Sequence, residues 1–325
     1  MHKVAFVFPG QGSQHVGMGK ALCDSYPYVR ELFMRADAAL GYSISKLCFD
    51  GPDTELVRTE NTQPALLTTA VAAAEVLRRE LGLLPSLCAG HSLGEYSALV
   101  VAESLDFADA VRLVHLRGRF MQQAVPEGLG AMAALVGLSS ADVAALCAES
   151  STETEKVQPA NENGASQVVI SGHKPAVERA MALAKGKGCK LVKALPVSAP
   201  FHSALMEPAA LQLASELAQV AVRPPRIPVV ANISAEPYPH GDAAAVRDRL
   251  VRQVAGTVRW EGCVQRLVSL GATAIIEVGP GKVLQGLVKR IVPAVALGGF
   301  SEPSGLAAIS ELFSSSTTHS QASLS

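Results

Sequence analysis

The sequence lacks any surplus of positive charge. Its 325 residues carry 28 lysines and arginines against 29 aspartates and glutamates, which gives a net charge of −1 at pH 7 with histidine counted as neutral. Proteins that bind nucleic acid or an anionic membrane surface usually present a basic surplus. The composition therefore gives no reason to expect either partner, and we expect neither nucleic acid nor a membrane to bind.

Long apolar runs are also missing. No stretch reaches the roughly 18 consecutive apolar residues of a transmembrane helix. The first apolar run, Val4 to Phe8, follows a single lysine, Lys3. It is too short for the core of a secretory signal peptide and is typical of a first strand. We therefore expect a cytoplasmic protein.

The cysteines lack the spacing of a metal site. No C-x-x-C pair occurs, and none of the six lies near a histidine at zinc-ligand spacing. Several stand in apolar runs, which predicts buried free thiols in a reducing compartment. The six are Cys23, Cys48, Cys88, Cys147, Cys189 and Cys263.

The loop after the first predicted strand does not match the motif of a phosphate-binding loop. The first predicted strand ends at a loop of turn-forming residues, Pro9–Gln14. A dinucleotide fingerprint would need glycine where His15 stands, and a Walker A loop would need lysine where Met18 stands. The glycines on either side of Gln11 instead allow the backbone to run close to another part of the chain.

What the chain does have is apolar material for a large core. It is 49% hydrophobic and 18% charged, with a mean hydropathy of +0.25, so global disorder is excluded. Its length fits one large domain or two. Predicted strands alternate with predicted helices, which indicates a mainly parallel sheet covered on both faces.

A different order of elements interrupts this alternation. Short strands and two helices follow one another as β-α-β-β-α-β, the order of a ferredoxin-like unit. The Ser- and Thr-rich C-terminus has few apolar residues and is predicted to be disordered. The predicted units are a large α/β subdomain (1–127 and 198–309), a small inserted subdomain (128–197) and a tail (310–325).

The stretch Gly90–Gly94 has the pattern G-x-S-x-G. A short apolar run over 81–89 precedes it, and a predicted helix over 94–101 follows. A strand, a tight turn and a helix with serine at the apex form a nucleophile elbow, in which the glycines avoid a clash between strand and helix. The apex also places Ser92 at a helix N-terminus, which favours developing negative charge. Alone, the pentapeptide also occurs by chance.

A serine nucleophile at neutral pH needs an adjacent base, normally histidine. Of the eight histidines, His202 follows Phe201 at a predicted strand-to-helix junction where the large unit resumes. Functional groups gather at the carboxyl ends of strands in open α/β sheets, so we predict that His202 is the base. The alternative is a histidine that only satisfies local hydrogen bonds. His91 is too constrained by the elbow to serve its neighbour.

Arg117 lies on an apolar face of the helix predicted over 106–124. Its neighbours one turn away are Leu113, Val114, Phe120 and Met121. A cation there is costly unless it is paired, and its own helix offers no carboxylate. Its partner is either a carboxylate from elsewhere in the fold or a ligand, whose carboxylate a guanidinium binds through two parallel hydrogen bonds.

Taken together, these features resemble the malonyl-CoA:acyl-carrier-protein transacylase family. The resemblance covers about residues 3–300, with the motifs in matching order and spacing. It implies an α/β-hydrolase-like large subdomain with a mainly parallel sheet and an inserted ferredoxin-like small subdomain. The motifs are Phe8–Gln14, Asn61–Pro64, Gly90–Ser97, Arg117, Pro200–Ser203 and Glu277–Gly281.

The resemblance also implies roles for individual residues. Ser92 would be the nucleophile and His202 its general base. Backbone N–H groups of Gln11 and Leu93 would form the oxyanion hole. Arg117 would bind the free malonyl carboxylate.

The remaining roles implied by the resemblance concern orientation and selectivity. The main-chain carbonyl of Gln253 would orient His202 in place of a catalytic acid. Gln63 and His91 would line the substrate site. The ring of Phe201 would crowd an α-methyl group and so disfavour methylmalonyl.

The implied reaction is ping-pong transfer of malonyl from malonyl-CoA to the phosphopantetheine thiol of acyl carrier protein, by a monomer without a metal or redox cofactor. It would supply fatty acid synthesis, or alternatively a polyketide or other secondary pathway. A serine hydrolase or thioesterase, a catalytically inactive acyl-binding scaffold and an acyltransferase for neutral acyl groups are the other possibilities. The hydrolase would want an acidic third member and no buried arginine.

Overall fold

The computed structural model describes residues 3–197 and 199–314. The strands are β1 (Val4–Phe8), β2 (Leu87–Gly90), β3 (Gly130–Val136), β4 (Val157–Gly164), β5 (Gln167–His173), β6 (Leu191–Ala194), β7 (Val229–Ala231), β8 (Glu236–Pro237), β9 (Ala274–Val278) and β10 (Ala296–Phe300). The helices are α1 (Lys20–Ser25), α2 (Pro27–Leu40), α3 (Ile44–Asp50), α4 (Asp53–Leu56), α5 (Thr59–Leu81), α6 (Gly94–Val101), α7 (Phe107–Gln123), α8 (Ser140–Ser150), α9 (Lys174–Gly186), α10 (Glu207–Gln219), α11 (Ala243–Ala255), α12 (Trp260–Ser269), α13 (Val283–Ile291) and α14 (Leu306–Ser314).

The larger sheet has the strand order β10-β9-β1-β2-β7-β8 and is parallel except for the last pair. Strands β1, β2 and β9 are buried throughout, as strands covered by helices on both faces must be. Phe8 at the end of β1 pairs with Gly90 at the end of β2. The loop after β1 and the turn after β2 therefore leave the sheet side by side.

The smaller sheet is antiparallel, with the order β4-β5-β3-β6. Helices α8 and α9 pack on it and share an apolar core with β3, β4 and β5. The order along the chain, β3-α8-β4-β5-α9-β6, is the ferredoxin-like order expected from the sequence. The predicted fold class, an α/β-hydrolase-like unit with a ferredoxin-like insertion, is thus confirmed. The residue bounds of the subdomains stay a prediction.

Backbone hydrogen bonds join the two sheets' subdomains at the edge strand β4. The N–H of Glu162 donates to the carbonyl of Val258 at 2.9 Å, and the N–H of Val258 donates to the carbonyl of Ala160 at 2.8 Å. A side chain adds to these bonds, since Nε2 of Gln158 donates to the main-chain carbonyl of His202 at 3.2 Å and to that of Ala255 at 3.1 Å. The small subdomain is therefore tied to the segment that carries His202.

Two sequence predictions need correction. The strand predicted over 81–89 is only Leu87–Gly90, because Leu81 is the last residue of α5 and Gly82 closes that helix in the left-handed conformation, with φ 62°. The disordered tail predicted from 310 is wrong as far as 314, since α14 runs to Ser314 and Ile309 on it is buried against the core. The remainder, 315–325, lies outside the described residues.

Two further expectations concern the thiols and the helices. All six cysteines are free; five are buried, as predicted, and Cys189 is half-buried. Among the helices of the described residues, none combines the length and the apolar character needed to cross a bilayer.

Candidate active site

The turn after β2 forms the predicted elbow. A Cβ added to Gly90 would lie 1.9 Å from the carbonyl carbon of Gly94, and one added to Gly94 would lie 2.1 Å from the carbonyl oxygen of Phe8. Only glycine permits this approach of strand and helix. Ser92 at the apex has a φ of 52°, in the left-handed region. Helix α6 begins two residues later, so the hydroxyl stands at its N-terminus.

His202 lies against this serine although 110 residues separate them. Its Nε2 is 2.7 Å from Oγ of Ser92, and its Nδ1 is 2.8 Å from the main-chain carbonyl oxygen of Gln253. A carbonyl only accepts, so Nδ1 carries the proton and Nε2 is free to accept one from the serine. His202 also has a left-handed backbone, with φ 57°.

The pKa of His202 is lowered to about 3. Burial is the main cause, and the positive charge of Arg117 adds to it. The side chain is 3% exposed. The imidazole is therefore neutral at pH 7, which is the form that a general base needs.

Arg117 projects from α7 into the same site and is 2% exposed. Nη1 donates to Oε1 of Gln63 at 2.8 Å, and Nη2 donates to Oε1 of Gln253 at 2.9 Å and to Oγ of Ser92 at 3.1 Å. Within the described part of the chain these hydrogen-bond partners are all neutral. The guanidinium of Arg117 is thus held in place by neutral groups and not by a carboxylate in direct contact.

These side chains border a cavity of about 160 Å³ between the two subdomains. Gln11 and Leu93 lie on its rim, and their main-chain N–H groups have no acceptor among residues 3–197 and 199–314. Phe201 contributes an apolar side chain that is 8% exposed. The cavity is lined by Gln11, Gln63, His91, Ser92, Leu93, Arg117, Met121, Met132, Asn161, Leu195, Val197, Phe201 and His202.

The Gln11 loop is pressed against the elbow. A Cβ on Gly10 would lie 2.5 Å from the carbonyl oxygen of His91, which explains the glycine there. His91 itself turns away from Ser92, because its Nε2 lies 2.9 Å from Oδ1 of Asn163 and its ring packs 5.5 Å from that of Trp260. The structure nevertheless brings together every site residue predicted from the sequence, because each of them lines this cavity or, as Gln253 does, contacts a residue that lines it.

Sequence reasoning missed a buried polar layer below the elbow. The N–H of Ser92 donates to Oδ1 of Asn232 at 2.7 Å, and Nδ2 of Asn232 donates to the carbonyl of Gly90 at 2.7 Å. Glu95 and the side chain of Gln253 continue this layer. Asn232 directly follows β7, and this strand-end position, the signal that selected His202, was available for it as well.

Within the described ranges, no group of three or more His, Cys, Asp and Glu side chains is arranged to hold a metal ion.

Comparisons with known proteins agree on one family. The sequence model of the acyl transferase domain family matches residues 5–296 of this chain. The malonyl CoA-acyl carrier protein transacylase of Escherichia coli (strain K12) is 53% identical over 312 residues, which is 96% of this chain and 100% of that protein.

Solved structures extend this agreement. The crystal structure of an acyl carrier protein S-malonyltransferase from Vibrio cholerae is 47% identical with a TM-score of 0.91, covering 94% of this chain and 99% of that one. A malonyl-transacylase solved with a type II polyketide-synthase acyl-carrier protein is 44% identical with a TM-score of 0.90, covering 94% and 98%.

Proposed function

The chain belongs to the acyl transferase family, and within it to the malonyl-CoA:acyl-carrier-protein transacylases, and from this membership we propose that it moves malonyl from coenzyme A to acyl carrier protein through an ester on Ser92. The carrier's phosphopantetheine thiol is the acceptor, and fatty acid synthesis is the pathway supplied. We further propose that the enzyme acts as a monomer and uses no metal or redox cofactor.

The observation that carries this proposal is the position of Arg117. Its guanidinium is buried, has only neutral hydrogen-bond partners within the described residues, and reaches Oγ of Ser92 at 3.1 Å. A cation so close to a nucleophile favours an acyl group with a carboxylate at its far end. Malonyl is such a group, whereas acetyl leaves the guanidinium without an anionic partner.

In the first half-reaction Oγ of Ser92 attacks the thioester carbon, and Nε2 of His202 takes the hydroxyl proton. The main-chain N–H groups of Gln11 and Leu93 stabilise the oxyanion. The carbon–sulfur bond then breaks, and the imidazolium returns its proton to the sulfur of coenzyme A. Malonyl remains on Ser92 with its carboxylate on Arg117.

In the second half-reaction the phosphopantetheine thiol takes the place of coenzyme A. His202 accepts the thiol proton, the sulfur attacks the ester carbon, and the bond to Oγ of Ser92 breaks. The proton returns to Oγ. The main-chain carbonyl of Gln253 keeps His202 in one tautomer through both halves.

A polyketide pathway is the second candidate, and one observation favours it. The malonyl-transacylase solved with a type II polyketide-synthase carrier protein has the same fold at 44% identity. Rates with purified fatty-acid and polyketide carrier proteins, measured with malonyl-CoA as donor, separate the two. We expect the fatty-acid carrier to give the higher kcat/KM.

The proposal is tested by intact-protein mass spectrometry after malonyl-CoA is added without carrier protein. We expect a stable malonyl adduct on Ser92 that carrier protein removes, and no adduct on Ser92→Ala. Rapid release of free malonate would support a hydrolase instead. Unaltered transfer by Ser92→Ala would contradict the serine ester and revive a role as an acyl-binding scaffold.

A further inference from the structure

Glu95 is a fully buried carboxylate directly behind the elbow, at 0% exposure on α6. Its Oε2 accepts the main-chain N–H of Asn232 at 3.0 Å and Nε2 of Gln253 at 2.7 Å, and its Oε1 accepts the hydroxyl of Tyr238. Burial raises the pKa of Glu95, and the hydrogen bonds that it accepts oppose that rise. None of the roles assigned above uses this side chain.

The partners of Gln253 determine which way its amide faces. Its Oε1 accepts from Nη2 of Arg117 at 2.9 Å, while its Nε2 donates to Oε2 of Glu95 and, at 3.0 Å, to the carbonyl of Ser92. Exchanging the oxygen and the nitrogen would set an NH₂ group against the guanidinium and an oxygen against the carboxylate. Both contacts would then be repulsive, so only one orientation is compatible with these neighbours.

The same residue serves the base as well. The main-chain carbonyl of Gln253 accepts from Nδ1 of His202 at 2.8 Å. Gln253 therefore contacts the base through its backbone and the cation through its side chain, and the carboxylate of Glu95 accepts from the other end of that side chain.

We propose that Glu95 is a positioning residue for malonyl selectivity, which fixes the amide of Gln253 and, through it, the guanidinium of Arg117. This inference rests on the proposed function, because it assumes that Arg117 binds the malonyl carboxylate.

Glu95 contacts Gln253 and not Arg117 itself, and this arrangement suits a charged side chain. A carboxylate in contact with Arg117 would form an ion pair and occupy the N–H groups that a substrate carboxylate needs. Placed one amide away, Glu95 offsets part of the cost of burying the cation, while the groups in direct contact with the guanidinium stay neutral. An amide between two opposite charges is also oriented by both of them.

The test is the ratio of kcat/KM for malonyl-CoA to kcat/KM for acetyl-CoA, measured on the folded full-length chain. In Glu95→Ala we expect the ratio to fall about tenfold, within the range of coupled neighbouring sites. Glu95→Gln keeps an acceptor facing Gln253, and we expect it to restore most of the ratio. Tyr238→Phe removes a buried hydrogen bond to Glu95 without touching Gln253, and we expect it to leave the ratio unchanged.

Double-mutant cycles test whether Glu95 affects selectivity through Gln253 and Arg117. In a Gln253→Ala or Arg117→Ala background, Glu95→Ala should change the ratio no further. A ratio that Arg117→Ala changes but Glu95→Ala does not would overturn the role of Glu95 and leave the proposed function standing. A ratio that Arg117→Ala itself leaves unchanged would overturn the carboxylate-binding role, and with it both proposals.

A second variant covers the case in which Glu95→Ala does not fold. Glu95→Asp keeps the charge but withdraws the carboxylate from Gln253 by one methylene. We expect the ratio to fall in this variant too, while the thermal unfolding temperature falls no more than in Tyr238→Phe. An unchanged ratio in a folded Glu95→Asp protein would contradict the proposal.

Discussion

Nη2 of Arg117 donates a hydrogen bond to Oγ of Ser92 at 3.1 Å, so the buried cation and the proposed nucleophile are in direct contact. The same Oγ lies 2.7 Å from Nε2 of His202. The hydroxyl proton thus faces the imidazole while an oxygen lone pair receives the guanidinium N–H. Malonyl carries its carboxylate one methylene beyond its carbonyl carbon, and we therefore expect the carboxylate of a malonyl ester on this oxygen to meet the cation.

Arg117→Ala should weaken malonyl transfer far more than acetyl transfer. Removing one partner of a buried, hydrogen-bonded charge pair costs roughly 2–5 kcal/mol, so we expect kcat/KM for malonyl-CoA to fall by about 30-fold or more. Arg119→Ala, on the exposed face of the same helix, is the matched control and should change neither rate. Equal losses for malonyl and acetyl would show that Arg117 does not bind the carboxylate.

The pH profile of malonyl transfer should be flat where an ordinary histidine would titrate. Because the pKa of His202 is lowered to about 3 from 6.5, the neutral base form persists as the pH falls. We expect kcat/KM for malonyl-CoA to stay constant between about pH 5 and pH 7.5, since this parameter reports groups of the free enzyme. A half-loss centred on pH 6.5 would contradict the assignment.

The same shift sets a condition on that measurement. Between pH 6.5 and pH 3 the unfolded chain binds a proton at residue 202 that the folded chain does not, so this histidine lowers the folding stability as the pH falls. Circular dichroism at each pH therefore accompanies the kinetics and separates loss of fold from loss of base.

Phe201→Ala should widen the acyl site. The ring lines the cavity next to His202 and is 8% exposed, so its removal makes room beside the α-carbon of the acyl group. One methyl group in a fitted pocket is worth roughly 1–3 kcal/mol, and we expect methylmalonyl-CoA to gain about tenfold relative to malonyl-CoA. Competition between the two donors measures this ratio, and an unchanged ratio would place the selectivity elsewhere.

Gly90→Ala should prevent the elbow from closing. The added Cβ would lie 1.9 Å from the backbone of Gly94, and backbone atoms have little room to yield, so we expect a loss of about 3 kcal/mol in the free energy of unfolding. Gly286→Ala is the control, because nothing lies within 4 Å of a Cβ there and the residue is inside α13. It should gain about 0.5–1 kcal/mol. Urea unfolding of both variants checks the pair.

Local pattern was enough for elements whose ends carry their own signals. Helix α2 carries such signals at both ends: it begins at Pro27, since proline suits a first turn, and it ends at Leu40, since Gly41 closes the helix with φ 73°. Strand β10 escaped prediction because Gly298 and Gly299 give it little strand character. It forms because β9 offers a neighbouring strand along its whole length, and that partner is visible only in three dimensions.

The site residues likewise divide into those that a local pattern reveals and those that only the fold reveals. Ser92, His202 and Arg117 were found because each breaks a local pattern: a turn, a strand end or an apolar helix face. Glu95 and Asn232 were missed because they lie 137 residues apart in the chain and only the fold brings them into contact. Glu95 did carry a signal, as the lone charge in the otherwise uncharged helix α6, but only the fold shows which donors surround it.

The left-handed backbone conformations of Ser92 and His202 create a conflict between the stability of the fold and the activity of the enzyme. Each costs roughly 1–2 kcal/mol relative to an ordinary conformation, and glycine at either position would relieve that cost. Selection for a more stable fold alone would thus favour glycine at the two positions where the proposed chemistry needs a hydroxyl and an imidazole. A stabilised variant of this enzyme has to gain its stability elsewhere in the chain.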